Sequence, residues 1–168
     1  DKHVLVIGGG DSAMDCARSA VRQGAAAVTV AYRREEQAMR ATPREKQAAF
    51  EEGVFFRMER APLQVLGDAT VTGVRFSTPD GGQETLACDV VIFAVGQVNR
   101  PQTWMTRLGI ATDQLGVIVV DVNGRTSHPK IYAGGDNTLG PDLVVTAVAA
   151  GRRAAEGMLD SCRLSRRS

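Results

Sequence analysis

One stretch, residues 4–13, constrains the fold more than any other part of the chain, because it predicts a strand, a glycine turn and a helix start. Residues 4–7 are apolar and mostly β-branched, as expected of a strand covered on both faces. Gly8 permits a tight turn, Gly10 lets a pyrophosphate approach the backbone, and Ala13 lets the helix pack closely. Free N–H groups at the helix start would bind phosphate oxygens. The pattern favours dinucleotide binding over the alternative, a glycine turn of purely structural origin.

The residues that follow continue this unit in βαβαβ order, which predicts one mononucleotide-binding half of an α/β sheet. In the first helix, 11–23, apolar residues recur at three- and four-residue steps. Asp11 or Ser12 is expected to cap its first turn, and Gly24 is expected to end it. The remaining elements are a strand at 28–32, a polar loop at 37–44, a helix at 45–52 and a strand at 54–56.

Two arginines, Arg33 and Arg34, lie just after the second predicted strand, where a unit of this kind selects its nucleotide. An acidic residue at this place would bind the ribose 2′-hydroxyl of NAD, whereas the planar fork of arginine suits the 2′-phosphate of NADP. The position therefore favours NADP. In the alternative interpretation, the pair forms a solvated basic corner neutralised by Glu35 and Glu36.

After the third predicted strand, the pattern changes to short strands separated by turns. Strands at 63–66, 70–77 and 84–88 indicate an antiparallel β-meander inserted in the α/β unit. A further apolar run at 89–96 predicts a fully buried strand that ends in Gly96. That glycine would bring backbone to the carboxyl edge of the sheet, where open α/β sheets bind ligands.

The remainder of the chain predicts a strand-like run, a short strand and a long helix. The run covers residues 116–122, and the short apolar strand leads into two glycines and Asp136. The helix is expected to begin near Pro141, a favourable first-turn residue, and to continue to about Leu159. The Arg- and Ser-rich residues 161–168 are expected to form a flexible tail.

Charge and composition argue against several classes of partner. The 168 residues include 20 basic and 19 acidic side chains, so the net charge of +1 gives no reason to expect nucleic acid or an acidic membrane surface. No apolar run is long enough to span a bilayer, and Asp1 leads directly into a strand without a signal peptide, so a cytoplasmic location is expected. Cys16, Cys88 and Cys162 are odd in number and lack C-x-x-C spacing. They predict reduced thiols in or near the core rather than a disulfide framework or a metal site.

Four motifs in order carry a resemblance to a known family. They are Val-Ile-Gly-Gly-Gly-Asp-Ser-Ala at 6–13, Tyr-Arg-Arg at 32–34, Ala-Val-Gly-Gln at 94–97 and Tyr-Ala-Gly-Gly-Asp at 132–136. With the helix at 144–155, they resemble the flavoproteins that bind two dinucleotides, and among these the glutamate synthase small (β) subunit group. The similarity covers almost the whole chain.

The resemblance implies an α/β fold in two parts. Residues 3–100 would form a Rossmann-like NAD(P)H-binding domain with a parallel central sheet and an antiparallel β-meander. Residues 101–160 would supply the C-terminal strand-helix segment of an FAD-binding domain, followed by the tail at 161–168.

The resemblance also implies which residues would bind the cofactors NADPH and FAD. The glycine turn would hold the NADPH pyrophosphate, Arg33 and Arg34 its 2′-phosphate, and residues 94–97 would lie against its nicotinamide side. Asp136 would bind a ribityl hydroxyl of FAD, and the helix start near Val145 would place its positive end beside the flavin pyrimidine ring. The full candidate set is Gly8, Gly9, Gly10, Asp11, Ser12, Ala13, Arg33, Arg34, Ala94, Val95, Gly96, Gln97, Gly135, Asp136, Val145 and Thr146. No catalytic side chain or metal ligand is assigned, because the cofactors carry the chemistry.

Three features of the family pattern are absent from these residues: an earlier glycine motif for the ADP half of FAD, a cysteine-rich iron–sulfur region and a redox-active C-x-x-C. The last absence disfavours the thioredoxin reductase branch. The expectation is therefore a C-terminal portion of a longer oxidoreductase, in which NADPH passes hydride to FAD and electrons continue to iron–sulfur centres and a larger partner subunit. The alternative is a nucleotide-binding module without flavin or catalysis of its own.

Overall fold

The computed structural model describes residues 1–165, and the chain divides into two compact units between Gly96 and Gln97. The elements of the first unit are β1 (His3–Ile7), α1 (Asp11–Arg22), β2 (Ala27–Ala31), α2 (Pro43–Glu51), β3 (Phe55–Arg57), β4 (Ala61–Leu66), β5 (Gly73–Ser77), β6 (Gln83–Ala87) and β7 (Val90–Phe93). Four of the strands form a parallel sheet in the order β3-β2-β1-β7, and β4-β5-β6 form an antiparallel sheet. The predicted βαβαβ unit and β-meander are both confirmed.

The parallel sheet is covered on both faces, because successive side chains of a strand point to opposite sides. On one face, Val6 belongs to a core cluster with Met14 of α1. On the other face, Leu5 belongs to a second cluster with Phe76 of β5. This arrangement explains the uninterrupted apolar run in β1, since both sets of alternating side chains pack against another layer.

Helix α2 begins at Pro43, inside the segment that the sequence predicts as a loop. Thr42 caps the helix, and its Oγ1 accepts a hydrogen bond from the Glu45 N–H at 3.3 Å. Proline is favourable in the first helical position because the N–H that it lacks would have no intrahelical acceptor. Before this helix, the predicted loop contains a single 3-10 turn at Glu36–Ala38.

Strand β7 corrects the prediction of a fully buried strand at residues 89–96. Only Val90–Phe93 form the strand, which lies at the edge of the sheet and, among the described strands, pairs with β1 alone. Phe93 is 59% exposed and Val95 is 69% exposed. An apolar run by itself does not distinguish an edge strand from a central one, because both carry the same residue types.

The described part of the second unit contains three helices, α3 (Thr103–Arg107), α4 (Asp136–Leu139) and α5 (Val144–Ser165). Helix α5 begins at Val144 rather than near Pro141, and it continues past Leu159. Residues 161–165, assigned to the tail from the sequence, belong to this helix, and residues 166–168 lie outside the described residues.

The strand-like runs of the second unit form isolated bridges rather than a sheet, which corrects the prediction of a strand at 116–122. The bridges join Thr112 with Ile118, Val120 with Thr126, and Arg125 with Tyr132. Tight turns at Gly116 and Gly124, with φ angles of +76° and +74°, fold the chain back after a few residues. Such short returns leave no room for a continuous ladder.

The three cysteines differ in how far they are exposed to solvent. Cys88 is buried and Cys16 half-buried, as expected of core thiols, but Cys162 is exposed on α5. Burial raises the pKa of the Cys88 thiol.

Within residues 1–165, the helices are all too short or too polar to cross a membrane.

Candidate functional site

The glycine turn lies at the point where the sheet reverses its order. From β1 the chain proceeds through β2 to β3 on one side and returns as β7 on the other side. Hydrogen bonds join the turn to the ends of β2 and β7. The Gly8 N–H donates to the Ala31 carbonyl at 3.1 Å, and the Ala94 N–H donates to the Ile7 carbonyl at 2.8 Å. Open α/β sheets bind ligands in this crevice, outside the carboxyl ends of their strands.

The three glycines of the turn have different surroundings. Gly8 has a φ angle of +155°, and a Cβ added there would lie 2.2 Å from the Ala94 carbonyl oxygen and 3.3 Å from the Ala13 Cβ. Gly8 and Ala13 therefore let the turn and α1 pack together, as the sequence predicts. A Cβ added at Gly10 would meet nothing within 4 Å, so the open side of the turn begins at this residue.

The first turn of α1 presents hydrogen-bond donors on that open side. Gly10 is the N-cap residue, and its carbonyl accepts from the N–H groups of Ala13 and Met14. Among the residues that the structure describes, the N–H groups of Asp11 and Ser12 reach no backbone acceptor. These donors and the positive end of a 12-residue helix suit a phosphate group.

Asp11 does not cap the helix, which corrects the prediction that Asp11 or Ser12 would do so. The Asp11 Oδ1 accepts instead from the Thr42 N–H at 2.9 Å, and the Gly9 carbonyl accepts from the Ala41 N–H at 3.0 Å. These two bonds hold the connection between β2 and α2 against the glycine turn. Arg33 and Arg34 belong to the same connection.

Both arginines are exposed, and the structure does not support their neutralisation by Glu35 and Glu36. Neither arginine takes part in an ion pair within residues 1–165, and Glu36 pairs with Lys46 at 3.5 Å. Their positive charge is therefore available at the end of β2, beside a turn whose Asp11 and Ser12 N–H groups have no backbone acceptor among the described residues.

Tyr32 is a residue of this site that the sequence analysis did not select. It is 8% exposed, and its ring packs against Gly9, where an added Cβ would lie 2.5 Å from the ring carbons. The Tyr32 hydroxyl donates to the Ala38 carbonyl at 2.8 Å and accepts from the Arg34 Nε at 3.2 Å. The signal in the sequence that could have selected Tyr32 was its position directly before the two candidate phosphate-binding arginines.

The segment 94–97 follows β7 at the same edge of the sheet. Its first residue is tied to β1 through the bond from Ala94 to Ile7. Val95, Gly96 and Gln97 are exposed, and a Cβ added at Gly96 would meet nothing within 4 Å. Residues 94–96 therefore border the crevice with accessible backbone.

The second candidate cluster, at Gly135, Asp136, Val145 and Thr146, lies entirely within the second unit. A Cβ added at Gly134 would lie 2.6 Å from the Ala150 carbonyl oxygen, so the glycine pair packs directly on α5. Asp136 begins α4 with an exposed side chain, and its carbonyl accepts from the Asn99 Nδ2 at 3.2 Å. The structure thus brings the glycine pair next to the first turns of α5.

The start of α5 carries few polar contacts of its own. Val145 is 70% exposed, and the Thr146 Oγ1 donates to the Leu143 carbonyl at 2.6 Å. The same carbonyl accepts from the N–H groups of Thr146 and Ala147. The helix start is therefore accessible.

A network of ion pairs fixes α1 against α2 behind the glycine turn. Arg18 donates to Glu52 Oε1 through Nε and Nη2 and to Glu45 Oε2 through Nη1 at 2.6 Å. Arg22 also donates to Glu52 Oε1 at 2.6 Å, while Glu52 Oε2 is buried without a partner among the described residues. The hydrogen bonds from Arg22 and Arg18 lower the pKa of the Glu52 carboxyl.

Comparisons with known proteins agree with this geometry. Residues 1–151 match the family model for pyridine nucleotide-disulphide oxidoreductases. The chain is 42% identical to the glutamate synthase [NADPH] small chain of Halomonas elongata and 41% identical to that of Escherichia coli (strain K12), in each case over 95% of this chain and 38% of the relative.

Two thioredoxin reductase crystal structures have a similar fold. For the Lactococcus lactis protein, the TM-score is 0.85 at 31% identity, covering 95% of this chain and 52% of that chain. For the T. acidophilum protein, the TM-score is 0.86 at 28% identity, covering 96% and 53%. The chain thus spans about half the length of these reductases and 38% of the two small chains.

All of these proteins are named as enzymes or enzyme subunits, so the comparisons lend no support to a module without catalysis. The family model covers nearly the whole chain, and the glycine turn, parallel sheet and antiparallel insert agree with it. The chain belongs to the pyridine nucleotide-disulphide oxidoreductase family.

Proposed function

We propose that this chain is the NADPH-binding portion of a flavin-dependent oxidoreductase of the glutamate synthase small-subunit type. The observation that carries the proposal is the open side of the glycine turn at Gly10, with two exposed arginines directly after Tyr32, whose ring packs against Gly9. In this proposal, residues 3–100 are the NADPH domain and residues 101–160 belong to the FAD domain.

The NADPH pyrophosphate would bind at the start of α1. Gly10 leaves space for it, and the N–H groups of Asp11 and Ser12 are donors without a backbone acceptor in the described chain. The Asp11 carboxylate accepts a hydrogen bond from the Thr42 N–H at 2.9 Å, which holds it toward the connection before α2. Gly9 and Ala13 support the turn from behind through their packing.

Arg33 and Arg34 would bind the 2′-phosphate that distinguishes NADPH from NADH. Arginine forms two-pronged, charge-assisted hydrogen bonds with phosphate oxygens. Neither side chain is engaged by a carboxylate within residues 1–165, so binding needs no ion pair to break. The relatives named as NADPH enzymes support the same choice of nucleotide.

The nicotinamide would lie against residues 94–97, beside the accessible end of β7. FAD, when bound, supplies the acceptor for the hydride of NADPH. The residues present fit a flavin: Gly135 and Asp136 lie beside the first turns of α5, and the accessible N-terminus near Val145 and Thr146 favours negative charge. These side chains bind and orient, and no general acid or base is required of the chain.

Partners beyond the two cofactors follow from the same proposal. The name small chain in the relatives supports a larger partner subunit here. Iron–sulfur centres, which the family resemblance implies, would receive the electrons. A cytoplasmic location is proposed with them. The near-neutral net charge of +1 agrees with a protein partner rather than a nucleic acid.

The test is the double variant Arg33→Ala with Arg34→Ala, measured by fluorescence titration with NADPH and NADH. Loss of charge-assisted contacts costs about 1.5–3 kcal/mol each, so NADPH affinity should fall by at least about 100-fold. NADH affinity should change by less than about threefold. Arg107→Ala, an exposed arginine on α3, is the matched control and should leave both affinities unchanged. Equal losses for the two nucleotides would contradict the 2′-phosphate role.

A further inference from the structure

Tyr32 makes four contacts, which involve the glycine turn, the loop at Ala38 and the Arg34 side chain. Its ring fills the space beside Gly9, where an added Cβ would lie 2.5 Å away. Its hydroxyl donates to the Ala38 carbonyl at 2.8 Å and accepts from the Arg34 Nε at 3.2 Å. The Arg34 guanidinium carbon lies 5.7 Å from the ring centroid.

These contacts give the two arginines unequal freedom. Arg34 is held by a hydrogen bond to its Nε and by a cation–π contact, so its guanidinium is oriented before any ligand arrives. Within residues 1–165, the two terminal nitrogens of Arg34 make no hydrogen bond or ion pair and remain available to a phosphate. Arg33 has no such support in the described chain. Preorganisation of a long side chain strengthens binding, because less of its freedom is lost in the complex.

We propose that Tyr32 is a positioning residue that sets selectivity for NADPH over NADH, by presenting the terminal nitrogens of Arg34 to the 2′-phosphate. This inference rests on the proposed function and adds a determinant that does not itself touch the nucleotide. The ring of a phenylalanine would fill the same space against Gly9. The hydroxyl is what fixes the Arg34 Nε and the Ala38 carbonyl, so its contribution can be separated from packing.

The experiment uses the full chain and the variant Tyr32→Phe, with dissociation constants measured for NADPH and NADH. The dissociation constant for NADPH should rise about three- to tenfold, as expected for loss of one hydrogen bond to a charged group and its orienting effect. The constant for NADH should stay within about twofold, because NADH has no 2′-phosphate to be positioned. Thermal unfolding of both chains checks that the core is intact.

A double-mutant cycle separates positioning of Arg34 from loosening of the loop at Ala38. In an Arg34→Ala background, Tyr32→Phe should cause no further loss of NADPH selectivity, because the side chain that Tyr32 positions is gone. In an Arg33→Ala background, the three- to tenfold loss caused by Tyr32→Phe should persist. A role confined to packing or to the loop would give the same loss in both backgrounds.

Three results would overturn the inference, and only one of them also overturns the proposed function. If the unmodified chain prefers NADPH and Tyr32→Phe keeps the full preference, Tyr32 does not position Arg34 and the proposed function stands. If the unmodified chain binds both nucleotides equally or binds neither, the proposed function fails, and this inference fails with it. An equal loss for NADPH and NADH in Tyr32→Phe would also refute the selectivity role.

Discussion

The two glycine turns that we propose as cofactor-binding segments occupy very different environments. The turn at Gly8–Gly10 follows a strand covered on both faces, and it opens a 12-residue helix that carries Met14 and Ala17 into the core. The turn at Gly134 and Gly135 opens a helix of four residues and packs on α5. Both turns resemble cofactor-binding segments in sequence, yet of the two only the first follows a strand that packs against another layer on each face.

The difference extends to the side chains around each turn. Large apolar residues near the second turn are exposed, with Val98 at 88%, Val122 at 86% and Val145 at 70%. Beneath the first turn, Val6 and Val30 are fully buried, whereas Val95 beside it is 69% exposed. Exposed apolar surface of this extent marks a place where other groups pack. The comparison teaches that similar motifs differ in structural support: buried strands anchor the first turn, whereas exposed apolar residues border the second.

The largest expected effect comes from Gly10→Val. A side chain at this residue has open space, and valine only replaces glycine at the N-cap, so stability should fall by no more than about 1 kcal/mol. The same side chain would occupy the place of the pyrophosphate, and affinity for both nucleotides should fall by about 100-fold or more. Titration with NADPH and NADH, together with thermal unfolding, checks the result. Gly151→Ala, at an open position of α5, is the control. Unchanged affinity in Gly10→Val would remove the pyrophosphate from this turn.

Gly8→Val should affect folding rather than binding alone. The φ angle of +155° and the carbonyl oxygen of Ala94, 2.2 Å from an added Cβ, leave no place for a side chain. Backbone strain and steric overlap together should lower the free energy of unfolding by about 2–4 kcal/mol. Denaturant unfolding of Gly8→Val beside Gly10→Val measures the contrast. Equal stability of the two variants would contradict the different roles assigned to these glycines.

The second turn predicts a difference between cofactors. In this chain, FAD should bind at least about tenfold more weakly than NADPH. The reason is that the proposed flavin site at Gly135 and Asp136 borders exposed apolar residues, which leave it open to solvent. Asp136→Ala should leave NADPH affinity unchanged, since Asp136 lies in the second turn. Equilibrium dialysis with each cofactor provides the measurement. FAD affinity equal to that for NADPH would show that the second turn is as complete as the first.

The smallest effect concerns the ion pairs behind the first turn and their dependence on pH. Hydrogen bonds from Arg22 and Arg18 lower the pKa of Glu52 below its ordinary value of 4.5. The unfolded chain therefore binds the proton more tightly, and the stabilisation by Glu52 is complete above about pH 4.5 and is lost as the pH falls through the lowered pKa. Glu52→Gln should lower the melting temperature at pH 7, and this deficit should shrink below pH 4.5.

Glu51→Gln is the matched control for that experiment. Glu51 is the neighbouring residue, is exposed and accepts from Gln47 at 2.9 Å, with no arginine contact. Its replacement should leave the melting temperature nearly unchanged at both pH values. A constant deficit for Glu52→Gln between pH 7 and pH 3 would show that the carboxylate charge does not stabilise α1 against α2.

The first unit follows closely from local sequence signals. The apolar run before Gly8 predicts a covered strand, and the repeat through Met14 and Ala17 predicts the buried face of α1. Gly24 ends this helix as expected, since its N–H bonds the Val21 carbonyl at 2.9 Å. These features depend on neighbours a few residues apart, which a sequence displays directly.

Features that depend on distant residues were not predictable in the same way. The edge position of β7 is set by its pairing with β1 and by the strand order, which residue types do not encode. The contact of the Tyr32 hydroxyl with Ala38 requires the loop before α2 to return to the sheet. The roles assigned to the candidate cofactor residues stay predictions until a nucleotide is bound.

The most direct test of the account is a calorimetric titration of this chain with NADPH and, separately, with NADH. Because the first turn is preformed and two exposed arginines lie beside it, NADPH should bind at least about tenfold more tightly than NADH. Equal affinities, a preference for NADH or no binding of either nucleotide would contradict the central claim that this unit is a completed NADPH site.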